Sequence, residues 1–296
     1  MLQCMQMTDM QIIGIDLGGT KCAAARYDAQ TFKRLEHFVV PTRTNEGFHT
    51  ILGDMLQCIE RLRTPQTRLL GIGMPGLVRE RDGIIHHMPN IPGGEGYPLK
   101  EYLEKQTGLR VTIGNDSQTF ALAEALEGAG KGKRVVVGIT MGTGVGGGIV
   151  IDGKLFTGSD GFAGEIGHTL LMPGSPPYDT PDCRGEVEQF LSGTAMRKRC
   201  TDAKRPEDLL AGEACAFLHP SIVRETAWLC TNLTYMLNPT IIVFGGSTGR
   251  ALLPYLPGIR EELSRWMLKD TPLPGLAIRQ LEDAATRGAA LLAREG

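Results

Sequence analysis

Short β-type runs open the chain and give way to a helical period. "QIIGID" (11–16), "KCAAARY" (21–27) and "LEHFVV" (35–40) are separated by turn residues, which predicts three consecutive antiparallel strands. Apolar residues then fall at 48, 51, 52, 55, 56, 59 and 62, the spacing of one helix face. "RLLGIGMPG" (68–76) reads as a buried strand, "PLKEYLEKQTG" (98–108) as a helix with a glycine stop, and "LRVTIGND" (109–116) as another strand. "SQTFALAEALEG" (117–128) is an amphipathic helix closed by Gly128.

The second half starts as the first does. "KRVVVGITMGTGVGGGIVIDG" (133–153) is strand, glycine-rich turn, strand, matching the opening in pattern and not in identity. A long helix follows at 221–239, a buried strand at 240–246 ending in Gly245-Gly246, a helix at 260–268, a strand at 275–281 and an amphipathic helix at 283–295. "MPGSPPYDTP" (172–181) is the clearest loop. Strands and helices alternating to the end predict an α/β protein. Two mixed α/β lobes with a cleft between them is the simplest architecture.

Composition narrows the partners. The 296 residues allow one large or two medium domains, and 42% hydrophobic with 22% charged residues is ordinary for a soluble globular chain. A formal net charge of -2 without a basic stripe gives no electrostatic case for nucleic acid or membrane. The longest uncharged run, 135–151, contains six glycines and makes a poor membrane span. The first ten residues lack the basic and apolar regions of a signal peptide. Seven scattered cysteines form no C-x-C or C-x-x-C pair, so neither a disulfide framework nor a zinc knuckle is expected. A reduced, cytoplasmic protein fits best.

Candidate chemistry begins at "GTGVGGG" (142–148). Gly142, Gly144 and Gly147 satisfy G-x-G-x-x-G, but β-branched "GIVIDG" follows where the dinucleotide fingerprint requires a helix. No G-x-x-x-x-G-K-[ST] is present either. What remains is a glycine hairpin whose N–H groups could line a phosphate, or a plain tight turn. Its counterpart at Gly18-Gly19-Thr20 adds weight: two such turns could grip a polyphosphate, with Asp16 holding a hydrated Mg²⁺. Lys21 is either a phosphate ligand or a solvated strand residue.

Asn115 and Asp116 stand where a strand gives way to a helix. Asp116 is a helix cap or, at a strand C-terminus, a general base. Glu165 and His168, flanked by glycines, could share a pocket, bind metal, or serve as cap and core. Glu186 and Glu188 open a helix, where carboxylates are favoured anyway. Asn90, in "PNIPGGEG", is a turn former or a ligand.

Taken in order, "GIDLGGTK", "GIGMPGLV", "MPNIPG", "NDSQTFALAEA", "GTGVGGGIVIDGKLFTG", "AGEIGH", "EQFLSG", "PTIIVFGG" and "RGAALL" resemble the ROK family of sugar kinases and repressors from about residue 11 to the C-terminus. The resemblance implies two actin/hexokinase-like (ribonuclease H-like) α/β domains closing over ATP and a sugar. The smaller would comprise 1–115 plus the C-terminal helix 283–296, the larger 116–282. It implies Asp116 as the base accepting the proton of the sugar's primary hydroxyl. Asn90, Asn115, Glu165, His168 and Glu188 are similar to the family's sugar ligands. Gly18, Gly19, Thr20 and Lys21 resemble one phosphate loop, and Gly142, Thr143 and Gly144 the other. Gly245 and Gly246 resemble the nucleotide-side turn, and Asp16 a Mg²⁺ ligand, directly or through water.

The sequence departs from the family at its zinc motif, C-x-C-G-x-x-G-C-x-E-x-x-x-S-G with the histidine of "GH". Asp179, Pro181 and Glu186 stand at the cysteine positions, Cys183 is out of register, and His168 survives. No structural zinc is expected. About ten residues precede the first strand, too few for the helix-turn-helix domain of the repressor branch. The resulting expectation is an ATP- and Mg²⁺-dependent hexose kinase acting at O6 of glucose, as a homodimer. N-acetylglucosamine, N-acetylmannosamine or fructose/mannose kinases are the alternatives, and a sugar-sensing regulator is the non-enzyme one.

Overall fold

The computed structural model describes residues 9–79, 82–88, 91, 93–203 and 208–296. The chain divides into two compact units: Met1–Ala123 with Gly158–Phe162 and Asp283–Gly296, and Glu124–Thr157 with Ala163–Glu282.

In the first unit, β1 (Gln11–Leu17), β2 (Lys21–Asp28) and β3 (Arg34–Pro41) form the expected antiparallel run. Helix α1 (Phe48–Leu62) buries Phe48, Ile51, Leu52, Met55, Cys58, Ile59 and Leu62, the face that its periodicity marked. Each such side chain contributes about 1.5–3 kcal/mol of burial. β4 (Thr67–Met74) is parallel to β1. A hairpin of β5 (Leu77–Arg79) and β6 (Ile84–His87) follows, which the sequence pattern did not reveal. Helix α2 (Leu99–Thr107) ends at Gly108, whose φ of 67° is the left-handed stop that glycine supplies. β7 (Arg110–Asn115) pairs parallel with β4 and leads into α3 (Asp116–Leu126). The sheet order is β3-β2-β1-β4-β7.

The C-terminal helix, Ala284–Glu295, packs on this sheet at backbone distance. A Cβ on Gly14 would lie 1.9 Å from Thr286 O, one on Gly71 1.7 Å from Ala289 O, and one on Gly288 1.8 Å from Thr119 O. Glycine is therefore required at these crossings by close approach.

The second unit repeats the topology. β8 (Val135–Met141) is antiparallel to β9 (Val145–Ile151), β9 to β10 (Lys154–Leu155), and β8 is parallel to a later strand. Short helices α4 (Val187–Leu191), α5 (Gly193–Arg199) and α6 (Asp208–Ala211) precede the long α7 (His219–Leu237). β11 (Ile241–Gly245), α8 (Gly246–Arg250), α9 (Leu256–Trp266) and β12 (Gly275–Ile278) complete it. The order β10-β9-β8-β11-β12 reproduces that of the first sheet, antiparallel on one side of the central strand and parallel on the other. The patterned likeness of the two halves is a likeness of topology.

The cysteine reading needs a correction. Cys200 and Cys215 form a disulfide, with Cα atoms 5.9 Å apart. The bond ties the residue that follows α5 to the 3₁₀ segment Glu213–Leu218, a closure that spacing alone does not disclose. Among the described residues no helix is long and apolar enough to cross a membrane.

Candidate active site

In the first unit β1, β4 and β7 are parallel, so their C-terminal ends share one edge. Ligands of α/β proteins collect at such edges. Asp16 pairs across to Gly73, Gly73 pairs to Gly114, and Asn115-Asp116 follow at once. A Cβ on Gly73 would come within 2.7 Å of Thr119 Oγ1, so glycine there lets the first turn of α3 rest on β4.

Asn115, not Asp116, caps that turn. Its Oδ1 accepts from the N–H groups of Ser117 at 2.8 Å and Gln118 at 3.3 Å, while its Nδ2 donates to Gly76 O at 3.1 Å. The Asp116 carboxylate, already the first helical residue, accepts from Ser117 Oγ at 3.1 Å. Burial raises its pKa above the usual carboxylate range, against the hydrogen bond from Ser117. Asp16, half-buried, is pushed up to about 7, first by burial and then by the charge of Asp116, with Lys21 opposing. Two carboxylates thus sense one another at the strand ends, with a lysine close enough to act on one of them.

The loop after β1 is tied down on its carbonyl side. Gly18 N–H donates to Lys21 O at 2.9 Å; Thr42 Oγ1 donates to Gly18 O at 2.8 Å and Thr42 N–H to Thr20 O at 3.0 Å. Gly19, Thr20 and Lys21 are exposed.

The corresponding loop of the second unit, between β8 and β9, is built from different residues to the same plan. Gly142 N–H donates to Gly144 O at 2.9 Å. Gly193 N–H reaches Gly142 O at 2.7 Å, and Thr194 Oγ1 reaches Thr143 O at 2.8 Å. Val145 N–H donates to Glu188 Oε2 at 2.8 Å, and a Cβ on Gly144 would stand 2.5 Å from that oxygen. Gly245 ends β11 beside Thr140 of β8. Gly246 has φ of 78°, and a Cβ there would meet Met141 O at 2.2 Å. The glycine pair after β11 and the glycine loop after β8 therefore lie at one edge of this sheet.

Glu165 is half-buried immediately before the 3₁₀ turn Ile166–His168. His168 is exposed, and its Nδ1 lies 3.1 Å from Oε2 of the buried Glu186. Arg184 Nη1 holds the same oxygen at 2.9 Å. At one of the positions where the family motif has cysteine, this chain thus carries a carboxylate paired with histidine and arginine. Asn90 lies outside the described residues. Sequence reasoning missed Thr42 and Thr194; neither belongs to a motif, and their partners lie 24 and 51 residues away.

Among the described residues no cluster of three or more His, Cys, Asp or Glu could hold a metal. A Mg²⁺ held by one or two carboxylates, with water and phosphate oxygens completing its shell, needs no such cluster. Asp16, oxygen-donating and held near neutrality by its surroundings, fits that ligand set.

A solved ROK family glucokinase from Streptomyces griseus, in complex with glucose and AMPPNP, is similar with a TM-score of 0.80 at 28% identity, covering 97% of this chain and 100% of that one. The glucokinase of Thermotoga maritima is 28% identical, covering 98% of this chain and 99% of its own length. The N-acetyl-D-glucosamine kinase of Photobacterium profundum is 31% identical, covering 94% and 98%. Fold and similarity together define a sugar kinase of the actin/hexokinase-like class. The sequence matches the ROK family over residues 12–296, and the chain belongs to that family.

Proposed function

We propose that this enzyme transfers the γ-phosphoryl group of ATP to the primary O6 hydroxyl of a hexose, with glucose as its first substrate. The observation that carries the reading is Asp116. It stands at a strand end, relieved of helix capping by Asn115, with a pKa raised by burial. Such a carboxylate accepts a proton from an attacking hydroxyl better than an ordinary one does. The two relatives named glucokinase favour glucose, and the relative named N-acetyl-D-glucosamine kinase makes that sugar the second candidate.

In this reading the sugar hydroxyl loses its proton to Asp116 as it attacks phosphorus, and ADP departs. Phosphoryl transfer leaves the protein mainly positioning and charge stabilisation. Asp16 would hold a Mg²⁺, directly or through water, and that ion would neutralise phosphate charge. Gly18, Gly19, Thr20 and Lys21, and likewise Gly142, Thr143 and Gly144, are read as ligands of phosphate oxygens. Gly245 and Gly246 border the nucleotide.

Asn115, Glu165, His168 and Glu188 are read as sugar ligands, with Asn90 completing the set. Glu188 keeps one oxygen for this after giving the other to Val145 N–H. A homodimeric cytoplasmic enzyme belongs to the same reading. A coupled ADP-release assay over glucose, N-acetylglucosamine, N-acetylmannosamine, fructose, mannose and allose tests it. The highest kcat/KM is expected with glucose; no turnover on any of these sugars, with ATP or polyphosphate, refutes the kinase reading.

A further inference from the structure

Both glycine loops solve the same backbone problem. A three-residue turn has carbonyls as well as N–H groups, and an anion is repelled by the first and bound by the second. In the first unit the N–H of Gly18 is used inside the loop, and the carbonyls of Gly18 and Thr20 are taken by Thr42. In the second the N–H of Gly142 is used inside the loop, and the carbonyls of Gly142 and Thr143 are taken by Gly193 N–H and Thr194 Oγ1. The N–H groups of Gly19, Thr20, Thr143 and Gly144 are left with no protein acceptor among the described residues.

We infer that Thr42 and Thr194 are positioning residues for phosphate binding: each pins a loop carbonyl so that the next N–H groups face the anion. They do the same job from unrelated surroundings. Thr42 is buried just after β3, whereas Thr194 is exposed in the first turn of α5. In each case the Oγ1–O distance is 2.8 Å. Neither hydroxyl is in the loop, so neither is expected to touch the ligand. Without the pin, the carbonyl is free to rotate with its peptide plane, and rotation turns the following N–H away. A hydrogen bond to a charged group is worth more than a neutral one, so misaiming even one donor is measurable.

The inference rests on reading these turns as phosphate loops, and its test separates the two. Binding of MgATP, MgADP and adenosine, and steady-state KM for ATP and sugar, are measured on wild type, Thr194→Val, Thr194→Ser, Thr42→Val and Thr42→Ser. Thr194→Val is expected to weaken MgATP and raise its KM about five- to tenfold. Adenosine binding and sugar KM should stay within twofold, and Thr194→Ser should restore the wild-type values. Thr42→Val should act in the same direction, with its melting temperature measured because the site is buried. Unchanged MgATP affinity in Thr194→Val, or equal losses for MgATP, adenosine and sugar, overturns the inference while leaving the kinase reading intact. A wild-type protein that binds no nucleotide at all overturns both.

Discussion

Replacing Asp116 with asparagine is the sharpest perturbation of the catalytic proposal, because the structure separates its consequences. The helix is capped by Asn115 through bonds of 2.8 and 3.3 Å, and an amide oxygen at 116 can still accept from Ser117 Oγ. Folding should therefore be little changed. Removing a half-buried carboxylate that desolvation holds above its usual range also removes that penalty, so the melting temperature should not fall. What disappears is the proton acceptor, worth about 10²–10⁴ in rate, or about 3–5 kcal/mol of transition-state stabilisation.

A second effect is built into the pair. Asp116 is one of the groups holding Asp16 at about 7, so its neutralisation lets Asp16 ionise more readily near neutral pH. The Mg²⁺ requirement of Asp116→Asn should thus be no higher than that of wild type, which rules out metal loss as the cause of slow turnover. The assay is ADP release under saturating ATP and sugar, with sugar affinity measured separately by calorimetry. In wild type the base loses activity as it is protonated, so kcat should fall on the acid side, through a raised carboxylate pKa. That acid limb should be flattened in the variant. A kcat within threefold of wild type refutes the assignment, as does a rate loss wholly explained by weaker sugar binding.

Three further outcomes follow from other features. Asp16 has a folded-state pKa of about 7 against 3.8 for the free group, so the folded protein holds the proton more tightly and loses stability as pH rises between those values. Asp16→Asn should therefore melt above wild type at pH 8 without cation or nucleotide, and level with it near pH 4; a difference independent of pH contradicts this. Gly71→Ala would set a Cβ 1.7 Å from Ala289 O, against backbone that cannot yield. A loss of about 1–3 kcal/mol or more is expected, seen as a drop of several degrees in melting temperature, and an unchanged value refutes the packing argument. Glu186 is occupied by His168 and Arg184, so elemental analysis of the purified protein should find no stoichiometric zinc; an equivalent of zinc lost together with thermal stability on chelation counters that expectation.

The main elements were legible because their periods are clean. The apolar stripe of α1 and the three short β-type runs set apart by turn residues each admit one reading, and the glycine stop after α2 is a local signal. The short β5–β6 hairpin escaped because three or four residues per strand carry no measurable period. The cap at the start of α3 escaped for another reason: asparagine and aspartate are adjacent there and both are good caps. Only the bonds from Ser117 and Gln118 decide between them, and that decision is what frees Asp116 for chemistry. The Cys200–Cys215 pair and the two threonine pins depend on which distant segments the fold brings together.

That the halves share topology without sequence identity follows from where the constraint lies. A sheet of order 3-2-1-4-5, with a hairpin loop after its central strand, puts backbone N–H groups at the loop tip whatever the side chains are. Glycine appears where backbones approach, as at Gly246 over Met141 and Gly144 against Glu188. Elsewhere the loops are free to differ, and they do: "LGGTK" in one, "GTGVG" in the other. What both retain is an accounting of backbone groups, with carbonyls bonded inward and N–H groups left over. A hydroxyl from outside the loop achieves this in both units, Thr42 from the end of a strand and Thr194 from the start of a helix. The carbonyls of Gly18 and Thr20 in one loop and of Gly142, Thr143 and Gly144 in the other are bonded, while the N–H groups of Gly19, Thr20, Thr143 and Gly144 find no protein acceptor among the described residues. That is the pattern the proposed anion-binding role of these turns needs.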